Sequence, residues 1–352
     1  MAQILKKIDT KNIRISHLLW YNTSPMHIRY KIIKQLADGR FHSGEELAET
    51  CGITRAAIWK RIKKIKEILG MEIFSVRGKG YRLTYPLELL DQNKILAAMS
   101  VESQTSVRKL DIHQSIESTN ALLLDQEADE MLSGHVCLAE QQTAGRGRRG
   151  RFWVSPYGCN IYFSLLWKFS MGPAQLGGLS LAAGLSVVRS LESVGVSEVG
   201  LKWPNDVYWR GRKLAGLLLE VTGETEGPSN VVLGVGINTG MSKKQGEFID
   251  QPWVSLNEIT GGNNISRNRL TGLVLDNLVQ TMVEFEKEGL HPLLDEWRNY
   301  DLYYDQPVRV QLGKKSIEGV HRGIDQAGAL LLEHGGEINP YHGGEVSLRL
   351  GE

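Results

Sequence analysis

The sequence predicts an α+β protein: an N-terminal winged helix-turn-helix, a central mixed β-sheet backed by helices, and a small C-terminal β-barrel. Residues 26–85 carry 13 Lys and Arg against 6 Asp and Glu, although the formal net charge of the chain is only +1. A basic module on a net acidic remainder is typical of a DNA-binding domain joined to another domain. Further along, strand patterns outnumber helical ones and several follow each other directly, which favours a mixed sheet. After Tyr300, short strands alternate with glycine turns, as in a small barrel.

The N-terminal module is predicted to contain three helices. Isoleucine and leucine recur at helical spacing over residues 28–37 and stop at an Asp-Gly pair. Ser43 can cap a second helix, and Glu46 three residues later completes the sequence signature of a capping box. After a turn that contains glycine, Thr54 can cap a third helix. Helix, glycine turn and helix together are typical of a helix-turn-helix.

The third helix and the hairpin after it are rich in cations. In helix-turn-helix proteins the early turns of this helix meet base edges, and later cations meet phosphates. Strands over residues 72–76 and 81–84, joined by a turn at 77–80, would add a basic wing. An alternative interpretation is a helical subdomain with a solvated basic face. The candidate DNA-binding residues are Arg55, Lys60, Arg61, Lys63, Lys64, Arg77 and Lys79.

The central region alternates apolar strand patterns with amphipathic helical ones. Pro86 marks a linker before this region. Strands are predicted at residues 111–116, 136–141, 160–168, 199–202, 214–222 and 231–238. Helices are predicted at residues 87–99, 121–125, 176–188 and 270–286. The C-terminal strands are expected at residues 307–312, 315–324, 329–333, 337–341 and 346–350.

A loop of four arginines and three glycines, Gly145–Arg151, lies between two predicted strands and is followed by Phe152-Trp153. Glycine lets the backbone close on a ligand, and arginine offers a fixed cationic fork to carboxylate or phosphate. Alone, the loop could instead be a solvated charge cluster or a nucleic-acid patch. It is not a P-loop, because Arg151-Phe152 stands where Lys-Ser/Thr is required. Gly234-Val235-Gly236 also lacks the last glycine of a dinucleotide fingerprint, since position 239 is Thr239.

Four further segments accompany this loop in a fixed order. They are Glu117–Asn120, Lys202–Asp206, Arg212–Gly216 and Gly234–Asn238. With the Gly/Arg loop, this set resembles the biotin–protein ligases. With the N-terminal module, the chain resembles the bifunctional members of that family, which are both ligase and biotin operon repressor. The resemblance extends over nearly the whole chain.

The resemblance implies a domain organisation and a two-step reaction. Residues 1–25 would be an unstructured extension without a role in the fold, and residues 26–85 would be the winged helix-turn-helix. Residues 86–300 would be the biotin- and ATP-binding catalytic domain and 301–352 an SH3-like domain. In the reaction, the carboxylate of biotin attacks the α-phosphate of ATP to give biotinyl-5′-adenylate, with Mg²⁺ assisting. A lysine of the biotin carboxyl carrier protein of acetyl-CoA carboxylase then takes the biotin.

Residues of this chain match family positions with known roles. The residues expected to act on the anions in catalysis are Lys213, Arg146 and Arg148. The biotin-binding positions are Ser118, Thr119, Asn120, Gln142, Arg146, Gly147, Arg148 and Lys213. The positions near ATP or the adenylate are Trp153, Asn205, Gly216 and Asn238. Asp206 is a candidate partner of Mg²⁺, although it could simply fix the turn that precedes it.

The resemblance also implies partners and a second role for the adenylate. As corepressor, it would favour a homodimer that binds operator DNA. No apolar run approaches the roughly 18 residues of a membrane span, and three scattered cysteines fit a reduced, cytoplasmic setting. Three alternatives stay open: a ligand sensor with an inert ligase centre, a ligase with a vestigial winged helix, and a lipoate or octanoate transferase. The sequence names no base for the acceptor lysine.

Overall fold

The computed structural model describes residues 25–126, 131–263, 265–313, 315–343 and 346–350. Apart from residue 25, the predicted N-terminal extension lies outside the described residues. The chain divides into two compact units, Met1–Leu89 and Leu90–Glu352. In the described part of the chain, no helix is long and apolar enough to cross a membrane.

The first unit contains the predicted winged helix-turn-helix. Its helices are α1 (Pro25–Leu36), α2 (Gly44–Cys51) and α3 (Arg55–Leu69), and its hairpin pairs β1 (Ile73–Val76) with β2 (Gly80–Leu83). The three helices bury one apolar face each against a shared core. That core includes Ile32, Leu36, Leu47, Ile58 and Ile65, which are fully buried.

Both predicted helix caps are present in this unit. The backbone N–H of Glu46 donates to Ser43 Oγ at 3.0 Å, and the N–H of Ala57 donates to Thr54 Oγ1 at 3.2 Å. The reciprocal half of the capping box is not formed, because the Glu46 carboxylate instead accepts from Gln35 and pairs with His42. The prediction that α2 starts after Ser43 is therefore confirmed, whereas the Glu46 carboxylate contacts Gln35 and His42 instead of the backbone of Ser43.

A seven-stranded sheet forms the centre of the second unit, in the order β3-β4-β5-β9-β8-β7-β6. Its parallel pair, β3 with β4, lies at one edge, and the other neighbours are antiparallel. The mixed sheet predicted from the sequence is thus confirmed. The strands are β3 (Lys109–His113), β4 (His135–Ala139), β5 (Ile161–Phe169), β6 (Val199–Lys202), β7 (Asp206–Trp209), β8 (Arg212–Gly223) and β9 (Ser229–Ile237). Strand β7 was not predicted, because four residues between two tight turns carry little periodicity.

Helices pack against both faces of this sheet: Leu123 of the helix Thr119–Leu124 joins Leu166 and Val232 on one face, and the long helices Leu179–Ser193 and Arg267–Glu288 cover the other. The α-helices are α4 (Gln92–Ala97), α5 (Val101–Ser106), α6 (Thr119–Leu124), α7 (Leu179–Ser193), α8 (Leu256–Ile259), α9 (Arg267–Glu288) and α10 (Leu294–Tyr300). The predicted helix over 87–99 was too long at its start, since Asp91 caps α4 by accepting from the Lys94 N–H at 3.1 Å. Helices α7 and α9 pack against each other, and Ser186 and Thr281 share a buried hydrogen bond of 2.8 Å between them.

Five C-terminal strands form a second sheet within the same unit, with all neighbours antiparallel. They are β10 (Pro307–Leu312), β11 (Lys315–Ile324), β12 (Leu330–His334), β13 (Glu337–Tyr341) and β14 (Val346–Leu350). This sheet is tied to the central one at two places. His321 Nε2 lies 2.7 Å from the buried Asp301 Oδ2, and the Trp203 indole donates to the Gly328 carbonyl at 3.0 Å.

Candidate active site

A cavity of about 760 Å³ opens on the face of the central sheet that carries α6 and the Gly/Arg loop. Four parts of the chain meet there: the Gly/Arg loop, the 202–206 turn, the segment 248–252 and residues 348–349 of β14. The structure brings almost all the predicted ligand-binding residues to this cavity. The ones that line it are Ser118, Thr119, Asn120, Gln142, Arg146, Gly147, Arg148, Trp153, Asn205, Asp206, Lys213 and Gly216.

Asn238 is the predicted site residue that does not line the cavity. It is 3% exposed and follows β9 beneath the site. Its side-chain amide lies 3.5 Å from the Lys213 carbonyl, and its oxygen accepts from the Asn160 amide at 3.4 Å. The Asn238 side chain is therefore not placed to contact a nucleotide in the cavity directly. Its side chain instead supports the backbone of Lys213.

Five buried polar side chains on one side of the cavity are here named the polar floor: Thr119, Asn120 and Gln142, which line the cavity, and Ser155 and Ser164, which are buried next to them. Both the N–H and the hydroxyl of Thr119 donate to Gln142 Oε1, at 2.8 and 3.1 Å. The Gln142 amide donates to Ser155 Oγ at 3.3 Å. Because these groups are hydrogen-bonded and buried, their orientation is fixed before any ligand arrives. Such a set can recognise a small uncharged ring with both donors and acceptors.

Two glycines from neighbouring strands lie directly beneath the indole of Trp153. Gly216 of β8 pairs with Gly236 of β9. A Cβ on Gly236 would sit 2.5 Å from Trp153 Cε2, and one on Gly216 would sit 3.1 Å from Cζ3. Gly234 lies two residues earlier on the same face of the sheet, and a Cβ added there would clash with Asn120 Oδ1. The Gly-Val-Gly segment is thus required for close side-chain approach rather than for a dinucleotide.

Lys213 and Asp206 form an ion pair inside the cavity. Lys213 Nζ lies 2.8 Å from Asp206 Oδ1, and both side chains are largely buried, 13% and 16% exposed. The ammonium also lies 5.4 Å from the centre of the Trp153 ring, within cation–π range. Its backbone N–H donates to Pro252 and its carbonyl accepts from Val254. Lys213 is therefore held in place at both its backbone and its head group.

Asp206 is the residue that the sequence predicts as a partner of Mg²⁺. In the part of the chain that the structure describes, no three His, Cys, Asp or Glu side chains could hold a metal ion together. Mg²⁺ commonly needs only one or two protein carboxylates, because substrate phosphates and water complete its shell. A carboxylate in a cavity lined by cations fits that use.

Arg148 connects the Gly/Arg loop with two other parts of the cavity. Its guanidinium donates to Asn205 Oδ1 at 3.2 Å and to the carbonyl of Gly343, just before the last strand. Burial lowers the pKa of Arg148, while the nearby Asp206 carboxylate opposes that change. Arg148 thus holds the loop towards the cavity through a contact with Gly343, which lies 195 residues later in the sequence.

Several cavity residues were not assigned from the sequence. Lys202 begins the 202–206 segment, but the sequence predicts no role for its side chain. Burial lowers its pKa, and its ammonium lies 3.2 Å from the Tyr208 hydroxyl and faces the Tyr303 ring. Arg349 lies on the last strand, and Phe248, which is 86% exposed, lies on the long segment after β9. A local motif could have indicated Lys202, whereas the other two reach the cavity only through the fold.

The cations of the cavity outnumber its carboxylates. The lining cations are Arg146, Arg148, Arg149, Arg151, Lys202, Lys213 and Arg349. The acidic side chains among the described lining residues are Asp206 and Asp250. A partly enclosed cavity that is lined mainly by cations raises the local concentration of anionic ligands. The site can therefore hold a ligand with several phosphates beside the polar floor.

The first unit carries the predicted DNA-binding residues on exposed surface. Of these, Arg61 is half-buried and the others are exposed. Arg55 and Lys63 contact Glu45 and Glu67 at 3.6 and 3.9 Å in pairs that are largely solvated. Trp59, on the same helix between these two cations, is 56% exposed and was not singled out from the sequence.

Comparisons with known proteins agree with this architecture. Residues 112–238 match the biotin/lipoate A/B protein ligase family. Residues 29–82 match a helix-turn-helix domain, and residues 303–349 match the biotin protein ligase C-terminal domain. Together these matches define a class: a biotin/lipoate-type ligase domain with a helix-turn-helix domain before it and a ligase C-terminal domain after it.

Individual relatives narrow this class. The bifunctional ligase/repressor BirA of Escherichia coli is 44% identical over 94% of this chain and 99% of its own. The biotin–[acetyl-CoA-carboxylase] ligase of Mycobacterium tuberculosis is 38% identical over 68% of this chain and 88% of its own. A biotin protein ligase structure from Aquifex aeolicus, in complex with biotin and ATP, matches with a TM-score of 0.59 and 29% identity, covering 69% of this chain and all of that one. The chain belongs to the biotin–protein ligase family, in its bifunctional ligase/repressor form.

Proposed function

We propose that this chain uses ATP to make biotinyl-5′-adenylate and transfers the biotin to a lysine of the biotin carboxyl carrier protein. We further propose that the adenylate is the corepressor with which the chain represses biotin biosynthesis genes. The observation that carries the proposal is one cavity in which a rigid polar floor, an indole lying on glycines and a cluster of cations meet. A small polar ring, an adenine and a phosphate-rich ligand would find their complements there.

The polar floor would bind the uncharged ring of biotin. Thr119 and Gln142 already have fixed orientations, so their hydrogen bonds with a ligand carry little ordering cost. Ser118 would lie beside them while capping α6, since its Oγ accepts from the Ala121 N–H at 3.4 Å. This arrangement directs the carboxylate end of biotin towards Lys213 and the Gly/Arg loop.

Formation of the adenylate joins two anions, so positive charge is what the protein must supply. A carboxylate oxygen of biotin would bond to the α-phosphorus while the bond to pyrophosphate breaks. Lys213 would face the carboxylate and then the bridging phosphate, and Arg146 and Arg148 would approach from the loop. Trp153 would stack on the adenine, with Asn205 nearby.

Asp206 would hold Mg²⁺ together with the phosphates of ATP. When bound, the ion would neutralise part of the phosphate charge during the first step. Asp206 would then give up its ion pair with Lys213 in favour of the ion, and the Lys213 ammonium would be free to contact the ligand. The chain's own part in this is the placing of one carboxylate and one ammonium 2.8 Å apart at the reacting end of the cavity.

In the second step the amine of the acceptor lysine would attack the acyl carbon, and AMP would leave with the bonding electrons. An ordinary lysine has a pKa near 10.4, so about 0.04% is neutral at pH 7. A proton must therefore leave the amine as it attacks.

The repressor role would use α3 and the β1–β2 hairpin on operator DNA. Arg55 and Lys60 would meet bases from the early turns, and Lys63 and Lys64 would meet phosphates. Arg61 and the wing residues Arg77 and Lys79 would add contacts to the backbone. Repressors commonly bind two half-sites as dimers, so we propose that the adenylate-bound chain is a homodimer.

The ligase proposal is tested by incubating the protein with biotin, ATP and a biotin carrier domain, and measuring pyrophosphate release and attached biotin. Lys213→Ala should slow pyrophosphate release about 10²- to 10³-fold with little change in Tm, because a cation facing developing charge is removed. Lys168→Ala is the control, since Lys168 is exposed on β5 and does not line the cavity. Wild-type release by a folded Lys213→Ala protein would refute the assignment of Lys213.

The regulatory proposal is tested with DNA from upstream of the organism's own biotin biosynthesis genes. Binding to that duplex, and the sedimentation coefficient, should both rise when biotin and ATP are added together and not with either alone. Tight binding that is indifferent to the adenylate would contradict the corepressor role.

A further inference from the structure

Glu220 joins the polar floor to the Gly/Arg loop. Its Oε2 accepts from the Asn120 amide at 2.7 Å and from Arg146 Nη2 at 3.4 Å. Asn120 belongs to the polar floor, and Arg146 belongs to the loop. One carboxylate oxygen, on strand β8, therefore contacts both sides of the site without lining the cavity itself.

The contacts of Glu220 continue through the whole polar floor. The Ser164 hydroxyl lies within hydrogen-bond distance of both Asn120 Oδ1 and Thr119 Oγ1. Thr119 donates to Gln142, Gln142 donates to Ser155, and the Ser155 hydroxyl donates to the Trp153 carbonyl at 2.9 Å. Trp153 lies two residues after the last arginine of the Gly/Arg loop. The chain of hydrogen bonds thus runs from one end of the loop to the other.

The hydroxyl of Ser164 has one proton for two acceptors. Thr119 Oγ1 and Asn120 Oδ1 compete for that proton in the empty site, because the Thr119 hydroxyl donates its own proton to Gln142. A ligand N–H given to Thr119 Oγ1 would leave the Ser164 proton to Asn120. That change would strengthen the hold on Asn120, whose amide is bound by Glu220.

We propose that Glu220 is a positioning residue that couples the occupied polar floor to closure of the Gly/Arg loop. In the empty enzyme it holds Arg146 in a partly exposed ion pair, with side chains 44% and 29% exposed. An anionic ligand then takes Arg146 over, while Glu220 keeps Asn120 in place. The inference rests on the proposed function, because it assumes that biotin occupies the polar floor.

The test follows trypsin cleavage within the Gly/Arg loop of the full-length protein, which offers four arginines to the protease. Glu220→Gln keeps the hydrogen bond to Asn120 and removes the charge that holds Arg146. Without ligand, its loop should be cut about two- to fivefold faster than the wild-type loop, the range expected for loss of a partly exposed ion pair. Glu333→Gln is the matched control, because Glu333 forms a similar half-exposed pair with Arg322 away from the cavity.

Ionic strength separates positioning from a merely structural effect. Between about 0.01 and about 1 M salt, the wild-type loop should approach the Glu220→Gln cleavage rate, while the variant stays constant, because salt screens an exposed pair. Equal rates for the two proteins at low salt would overturn the inference. Faster cleavage of Glu220→Gln at sites all along the chain, together with a Tm below that of the wild type, would also overturn the inference.

Biotin gives a separate readout of the underlying function. Biotin should slow loop cleavage in the wild type, in Glu333→Gln and, to a smaller extent, in Glu220→Gln. If biotin protects none of the three, the proposed biotin site is wrong. If it protects all three equally, the biotin site stands and the role of Glu220 is wrong.

Discussion

A methyl group added at Gly236 should displace the indole of Trp153 and impair the use of ATP. A Cβ there would sit 2.5 Å from Trp153 Cε2 and 2.6 Å from Nε1, where ordinary contacts are about 3.5–4.0 Å. The ring must therefore move by roughly 1 Å, and misplacements of about 1 Å can cost about 100-fold in rate. Because Trp153 lines the cavity, the ring can move into that space. The penalty should thus fall on ATP more than on stability.

The assay measures kcat/KM for ATP and for biotin, together with Tm. For Gly236→Ala we expect kcat/KM for ATP to fall about 100-fold and the affinity for biotin alone to stay within about threefold, because the polar floor is untouched. The fall in Tm should be about 2–4 °C or less, equivalent to about 1 kcal/mol. Gly227→Ala is the control, since its added methyl would meet only the exposed Glu224 side chain. Wild-type use of ATP by a folded Gly236→Ala protein would refute the reasoning.

Three further predictions concern the loop and the first unit. Arg148→Gly removes a guanidinium that holds the loop to Asn205, so the adenylate should escape and biotin should label an unrelated lysine-rich protein; labelling no higher than with the wild type would contradict this. Arg55→Ala should relax sequence preference in a selection from random duplexes, whereas Lys63→Ala should weaken all duplexes and reduce the salt slope by about one. Burial lowers the pKa of His42, but the carboxylates beside it outweigh burial and raise it above 6.5; the protection of α2 against hydrogen exchange should therefore fall as pH rises through that raised pKa, and His42→Gln should abolish the dependence.

Much of the fold could be predicted because its signals are local. Ser43 and Thr54 cap helices for reasons that involve only the next three residues, and both caps are present. The C-terminal strands are separated by glycine turns, so their bounds were nearly all predictable. Strand β7 and the start of α4 were mispredicted, because a four-residue strand and an extended apolar segment resemble other structures over so short a window.

The candidate site could be predicted only in part. Lys213, Trp153 and Thr119 stand in motifs whose residue types and spacing are informative on their own, and all three line the cavity. Asn238 stands in such a motif as well, yet it lies beneath the site. Glu220 stands in no motif.

The sequence by itself determined which residues could bind anions, cap helices or permit close packing, because these properties belong to the residue and its near neighbours. The tertiary structure decided which of them meet. Arg267 and Glu140, separated by 127 residues, form a buried pair at 2.9 Å, and Glu220 reaches Asn120 across 100 residues. Contacts of this range depend on strand order and register, which are set by burial of the whole apolar core and not by any local pattern.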